Sequence, residues 1–164
     1  MTKDENGSAN DTTSNQSSLQ PENRGETALN NPVNKEITVL VVEDNVSNFV
    51  LIARMLGYMG IHCEWKTSGY EVVDYADTMP RLNLILMDIR LPYEDGFEAL
   101  KKIRSSPVLK DTLVVAVTAE ASSQQMRRAR EARFDGFIGK PLDPDRFPNQ
   151  IQRILKGEPV WELS

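Results

Sequence analysis

The feature that most constrains this chain is the texture that begins at Ile37, where short runs, apolar at nearly every position, alternate with stretches of helical spacing. Ile37-Thr38-Val39-Leu40-Val41-Val42 and Leu82 to Met87 are the clearest runs. A strand with one wet face alternates polar and apolar residues, whereas a strand covered on both faces does not. These two runs therefore predict interior strands of a parallel sheet with helices on either side. Their alternation with amphipathic stretches predicts repeated strand-helix units.

Five units can be traced. The first strand leads into a helix from about Asn45, with Phe49, Ile52, Ala53 and Leu56 at helical spacing and a stop at Gly57 or Gly60. Ile61 to Trp65 alternates like a strand with one wetter face, and Ser68 to about Met79 reads as a helix ended by Pro80. After Leu82 to Met87, a loop at Pro92 to Gly96 opens a helix carrying Phe97, Leu100 and Ile103. Leu113 to Val117 is the fourth strand, and Ser122 to about Arg133 is a polar helix whose weak apolar face predicts mobility. Phe137-Ile138 is a short fifth strand, and a last helix runs from about Asp145 to Lys156 with Phe147, Ile151 and Ile154 inward.

Composition narrows the class. Residues 1–36 contain no Phe, Tyr or Trp and are rich in Asn, Ser, Thr and Glu, so they read as a disordered tail. Residues 37–157 then form one folded domain, and 158–164 a short C-terminal tail. Beyond residue 36 there are 16 basic and 18 acidic side chains and no basic stripe, which argues against direct nucleic-acid binding. The single cysteine, Cys63, cannot form an internal disulfide, and the N-terminus lacks a signal-peptide pattern. No apolar run reaches the roughly 18 residues of a membrane span. The expectation is a cytoplasmic chain without membrane insertion.

Ligands of open parallel sheets bind outside the carboxyl ends of the strands. Four strands end there in polar residues: Glu43 and Asp44 after the first, Asp88 after the third, Thr118 after the fourth and Lys140 after the fifth. Each has an ordinary explanation. Asp44 or Asn45 could cap the next helix, Asp88 could open a turn, Thr118 could be a plain strand residue, and Lys140 a solvated charge. His62, the only histidine, lies mid-strand and is assigned no catalytic role. The ordinary explanations do not account for three carboxylates converging with one lysine and one hydroxyl. Close carboxylates repel and raise one another's pKa unless a cation relieves them. Mg2+ suits such a group, since it accepts one or two carboxylates and fills its shell with water and phosphate oxygen. A carboxylate nucleophile, a cation, an ammonium and a hydroxyl are the parts that phosphoryl transfer onto aspartate requires.

At these residues the chain resembles the receiver domains of bacterial response regulators in two-component signalling. Val41-Val42-Glu43-Asp44-Asn45 is similar to the family's acidic pair, and Leu84 to Pro92 with Asp95-Gly96 to its phosphoacceptor strand and loop. Ala116-Val117-Thr118-Ala119 resembles its switch strand, and Phe137-Ile138-Gly139-Lys140-Pro141-Leu142 its lysine-proline end. The wording is closest to single-domain regulators of the DivK type. The resemblance implies an α/β fold, a flavodoxin-like doubly wound five-stranded parallel sheet in the order 2-1-3-4-5 flanked by five helices. It implies Asp88 as phosphoacceptor, with Mg2+ held by Glu43, Asp44, Asp88 and the backbone carbonyl of Arg90. Thr118 and Lys140 would contact the phosphoryl group, Phe137 would be the aromatic switch residue that turns inward, and Lys140-Pro141 would be cis. Arg90 and Glu120 would flank the path of the hydrolytic water as an opposite-charge pair.

The implied partners are a sensor histidine kinase or histidine phosphotransfer protein, a downstream protein, and a second copy of the chain. With only 157–164 after the last helix, output by protein contact rather than by an attached domain is expected. Three rivals fit less well. A haloacid-dehalogenase-like phosphatase needs a second carboxylate where Arg90 stands, and a flavodoxin-like carrier would find its flavin phosphate repelled by Glu43-Asp44. A receiver-fold scaffold independent of phosphorylation would not need the complete reaction set.

Overall fold

The computed structural model describes residues 37–69, 72–79 and 81–164. The expected N-terminal tail at 1–36 and the expected helix stop at Pro80 lie outside the described residues. Elements alternate as β1 (Thr38–Val42), α1 (Val46–Tyr58), β2 (His62–Lys66), α2 (Val72–Asp77), β3 (Leu84–Met87), α3 (Gly96–Ser105), β4 (Leu113–Thr118), α4 (Ser123–Glu131), β5 (Gly136–Gly139), α5 (Phe147–Leu155) and β6 (Val160–Glu162).

All strands are parallel, in the order β2-β1-β3-β4-β5-β6. The expected 2-1-3-4-5 core is present, and residues 158–164, expected as a tail, instead carry a sixth strand along β5. That strand follows α5 as β2 to β5 follow α1 to α4, so it completes one more crossover onto the same sheet.

The sheet splits the interior into two cores by strict alternation. Leu40, Val42, Ile85, Met87, Val114, Ala116 and Phe137 face one way, with Ala99, Leu100 and Ile103 of α3 and Ala129 of α4. Val39, Val41, Leu84, Leu86, Val115, Val117 and Ile138 face the other, with Ile52 and Leu56 of α1 and Phe147, Ile151 and Ile154 of α5. Both faces being covered is why the strands are unbroken apolar runs in sequence.

Three helices are started by side chains that accept from the amide three residues on: Asn45 from Asn48 N at 3.0 Å, Asp95 from Glu98 N at 2.9 Å and Ser122 from Gln125 N at 3.1 Å. Asn45, not Asp44, therefore caps α1, which leaves Asp44 available to the strand-end cluster. On α4 only Ala129 is buried, as its weak apolar face predicts. His62 begins β2 rather than lying within it, and its exposed Nε2 meets Glu64 Oε1 at 2.8 Å.

Candidate functional site

Strand register assembles the site. Val42 lies beside Met87 in the β1–β3 ladder, and Asp88 N donates to Val42 O at 3.0 Å, so Glu43 and Asp88 leave the sheet side by side. This is the point where strand order reverses between β1 and β3, the usual ligand crevice of such sheets. On the other side Thr118 pairs with Gly139, and Lys140 N donates to Thr118 O at 2.9 Å. Four strand ends thus converge.

Glu43, Asp44 and Asp88 can each place a carboxylate oxygen within 4.8 Å of the other two. Glu43 and Asp88 are buried and Asp44 is exposed. Lys140 reaches across them: its Nζ donates to Asp88 Oδ2 at 2.8 Å and to Glu43 Oε2. Burial by itself would lower the Lys140 pKa, but hydrogen bonds to Asp88 and Glu43 and their charges outweigh it and raise it above its ordinary value. The second Asp88 oxygen, Oδ1, accepts the Arg90 amide at 3.0 Å, and Glu43 Oε1 accepts the Asn45 amide at 3.1 Å. Both buried carboxylates are thereby held through both of their oxygens.

Three carboxylates against one ammonium leave an excess of two negative charges, confined to oxygen donors at a partly open sheet edge. That donor set fits a hard divalent cation of the Mg2+ kind.

Gly96 explains the tightness of the β3–α3 turn. A Cβ there would sit 2.7 Å from Asp88 O and 2.8 Å from Ile89 Cα, and Gly96 N donates to Ile89 O at 2.8 Å. Thr118 is buried, and its Oγ1 accepts the Glu120 amide at 3.3 Å. Arg90 meets Glu120 through its guanidinium, and Gln125 Nε2 holds the other Glu120 oxygen at 3.0 Å. Phe137 was expected to turn inward on activation. It is already fully buried, in the cluster with Met87, Ala116 and Ala129. The Lys140–Pro141 bond is cis, as the resemblance implied.

One support was not visible as such in the sequence. Trp65 of β2 donates from Nε1 to Glu43 O at 2.8 Å and stacks on Phe49 of α1 with ring centroids 4.3 Å apart, clamping the acidic turn from behind. Its alternating strand pattern placed Trp65 on a face but not against a particular carbonyl.

Residues 39–152 match the family described as the response regulator receiver domain. The chain belongs to that family. This receiver domain is 36% identical over 124 residues to the signal transduction histidine-protein kinase BarA of Escherichia coli, covering 76% of this chain but only 13% of that protein. It is 34% identical over 118 residues to the polar-differentiation response regulator DivK of Brucella anthropi, covering 72% of this chain and 95% of DivK.

Among solved structures, the receiver resembles that of a sensor histidine kinase from Pseudomonas aeruginosa PAO1, which has a magnesium ion coordinated in its active-site cleft. The TM-score is 0.66 at 28% identity, over 73% of this chain and 97% of that one. It also resembles a Saccharomyces cerevisiae co-crystal structure of the histidine phosphotransfer protein Ypd1 and the receiver domain of Ssk1, with TM-score 0.65 at 29% identity over 72% and 88% of the chains. Receiver domains are signalling modules of two-component systems, and that is the class of this chain. No helix among the described residues is long and apolar enough to cross a membrane.

Proposed function

We propose that this receiver accepts a phosphoryl group on Asp88 from the phosphohistidine of a sensor kinase or histidine phosphotransfer protein, and that it signals through phosphorylation-dependent protein contacts. The observation that carries the reading is the Lys140 ammonium, 2.8 Å from Asp88 Oδ2 and also bonded to Glu43. A positive charge beside the acceptor carboxylate supports the reading, because transferring phosphoryl oxygens need a cation next to them.

An Asp88 carboxylate oxygen attacks phosphorus, an O–P bond forms, and the P–N bond to the donor imidazole breaks with its electron pair returning to nitrogen. Lys140 and the Arg90 amide orient the nucleophile before attack, which removes much of the entropic cost of alignment. Glu43, Asp44, Asp88 and the Arg90 carbonyl are the groups that would hold Mg2+. Held there, Mg2+ would supply positive charge beside the phosphoryl oxygens. Thr118 and Lys140 then receive the phosphoryl oxygens, as hydroxyl and ammonium donors. Phe137 serves as a switch residue that starts from the buried position. The reading includes a cytoplasmic location, no direct nucleic-acid contact, and a second copy of the chain among the candidate partners.

Intact-mass measurement after incubation with acetyl phosphate and Mg2+ tests it. The unmodified chain should gain one phosphoryl group, and Asp88→Asn should gain none while keeping its circular dichroism. Uptake by Asp88→Asn equal to that of the unmodified chain would place the acceptor elsewhere.

A further inference from the structure

β5 would be the open edge of this sheet if the chain stopped after α5. Instead Val160, Trp161 and Glu162 pair with Gly136, Phe137 and Ile138, and each of the three is anchored differently. Val160 is fully buried in the α1–α5 core. Trp161 lies beneath the Arg130 guanidinium of α4, 4.5 Å from the ring centroid. The Glu162 carboxylate accepts from Arg146 and Arg153 at 3.0 Å each and from Gln150, all in or next to α5. A three-residue strand therefore ties α4 to α5 across β5.

The same segment is wedged against the strand-end cluster. A Cβ on Gly139 would lie 2.6 Å from Ser164 N and 2.7 Å from Ala121 Cβ, and one on Gly136 would lie 2.8 Å from Val160 O. Gly139 immediately precedes Lys140, and Ala121 is three residues beyond Thr118. Ser164 and Ala121 thus both close on the backbone at Gly139, next to Lys140. In a close-packed contact, movement of one member by a few tenths of an ångström must be taken up by another. The tail is held through its middle only, because Glu158, Pro159, Leu163 and Ser164 are exposed and three residues pair with β5.

We propose that residues 157–164 are an intramolecular strap that closes the β5 edge in the unphosphorylated protein, and that phosphorylation of Asp88 releases it. The proposal rests on Asp88 being the phosphoacceptor. Movement of Thr118 toward the phosphoryl group draws residues 119–121 along, the contact at Gly139 shifts, and the strap leaves β5. Release uncovers a row of backbone N–H and C=O groups between α4 and α5 that the strap otherwise satisfies.

Hydrogen exchange read by mass spectrometry on the full chain tests this, with intact mass recording phosphoryl uptake in the same sample. After acetyl phosphate and Mg2+, amides of 158–164 should exchange on the order of tenfold faster while those of Leu84–Met87 stay unchanged. Full phosphoryl uptake with unchanged exchange at 158–164 overturns the strap. Glu162→Ala provides a phosphate-free arm: the same segment should exchange fast without any donor, again with β3 unaffected. Protection in Glu162→Ala equal to the unmodified chain also overturns it. Absence of phosphoryl uptake would strike at the Asp88 reading instead, and the Glu162→Ala arm would still decide the strap.

Discussion

Lys140 Nζ donates to Asp88 Oδ2 over 2.8 Å, joining the ends of β5 and β3 across 52 residues of sequence. The same ammonium also meets Glu43, so one cation holds two buried carboxylates that would otherwise repel. Much of the site's behaviour follows from this sharing, and it separates residues that would look equivalent as an acidic pair.

Glu43 and Asp44 should differ in what neutralisation does to the metal-free fold. Simple repulsion would have either change stabilise the metal-free fold, but Glu43 is bonded to Lys140 and buried, whereas Asp44 is exposed. Glu43→Gln should therefore destabilise by about 1–3 kcal/mol, the cost of breaking a buried charged hydrogen bond. Asp44→Asn should leave the metal-free melting temperature unchanged or higher. Both should weaken Mg2+ binding, and thermal melts with and without Mg2+ read all of these outcomes. Intact Mg2+ affinity in Asp44→Asn would remove that residue from the metal set.

Arg90 and Glu120 form an ion pair over the mouth of the site, and Glu120 raises the pKa of the Arg90 guanidinium through its hydrogen bond and charge. With Asp88 as the proposed phosphoacceptor, Arg90→Ala should open a path for water toward its acyl phosphate. The phosphorylated half-life should shorten by roughly two- to fivefold, the scale of an exposed ion pair. Loss of radiolabel from the purified phosphoprotein measures it, and a half-life equal to that of the unmodified chain would show that the pair does not shield the site.

If the proposed function holds, Thr118→Ala should accept a phosphoryl group yet lose most of the response to it, because the hydroxyl would be the donor to the new oxygens. Amide shifts around Phe137, recorded with and without a phosphoryl mimic, report this, and a full-sized response in Thr118→Ala would break the coupling. Phe137→Ala should cost about 3–5 kcal/mol in chemical denaturation, since a fully buried ring is removed from the core.

Glu162 supplies a pH dependence. Its carboxyl is held below the ordinary 4.5 by the Gln150 hydrogen bond, with burial opposing, and further by the Arg153 hydrogen bond and the charges of Arg146 and Arg153. A lowered folded-state pKa means a contribution fully present above the unfolded value and lost as pH falls through the folded one. Trp161 should therefore stay under Arg130 near neutrality and become more accessible to a fluorescence quencher as the pH drops below 4.5. Glu162→Gln should remove that acid transition. If the mutant kept it unaltered, another group would be responsible.

How far the sequence could be read differs from place to place for physical reasons. Leu84–Met87 was legible because burial on both faces leaves no polar position, and Asp88 because it ends that run. Val160–Glu162 was not: three residues after Gly157 and Pro159 are too few to display a period, and the strand exists only because β5, Arg130 and the α5 side chains receive it. Phe137 was assigned to the right strand, but its buried starting position depends on how α4 closes over β5, which no local pattern records.

The sequence by itself determined the strand-helix alternation, the two-sided sheet, and the identities of the polar residues at the strand ends, because hydrophobic period and the residue that breaks it are local properties. Only the tertiary structure decided which charges share one another: Lys140 with Glu43 and Asp88, Arg90 with Glu120, Glu162 with three residues in or next to α5. Those pairings depend on strand register and on burial. Both are properties of the assembled sheet, set by contacts between segments tens of residues apart, and neither exists until the whole layer has packed.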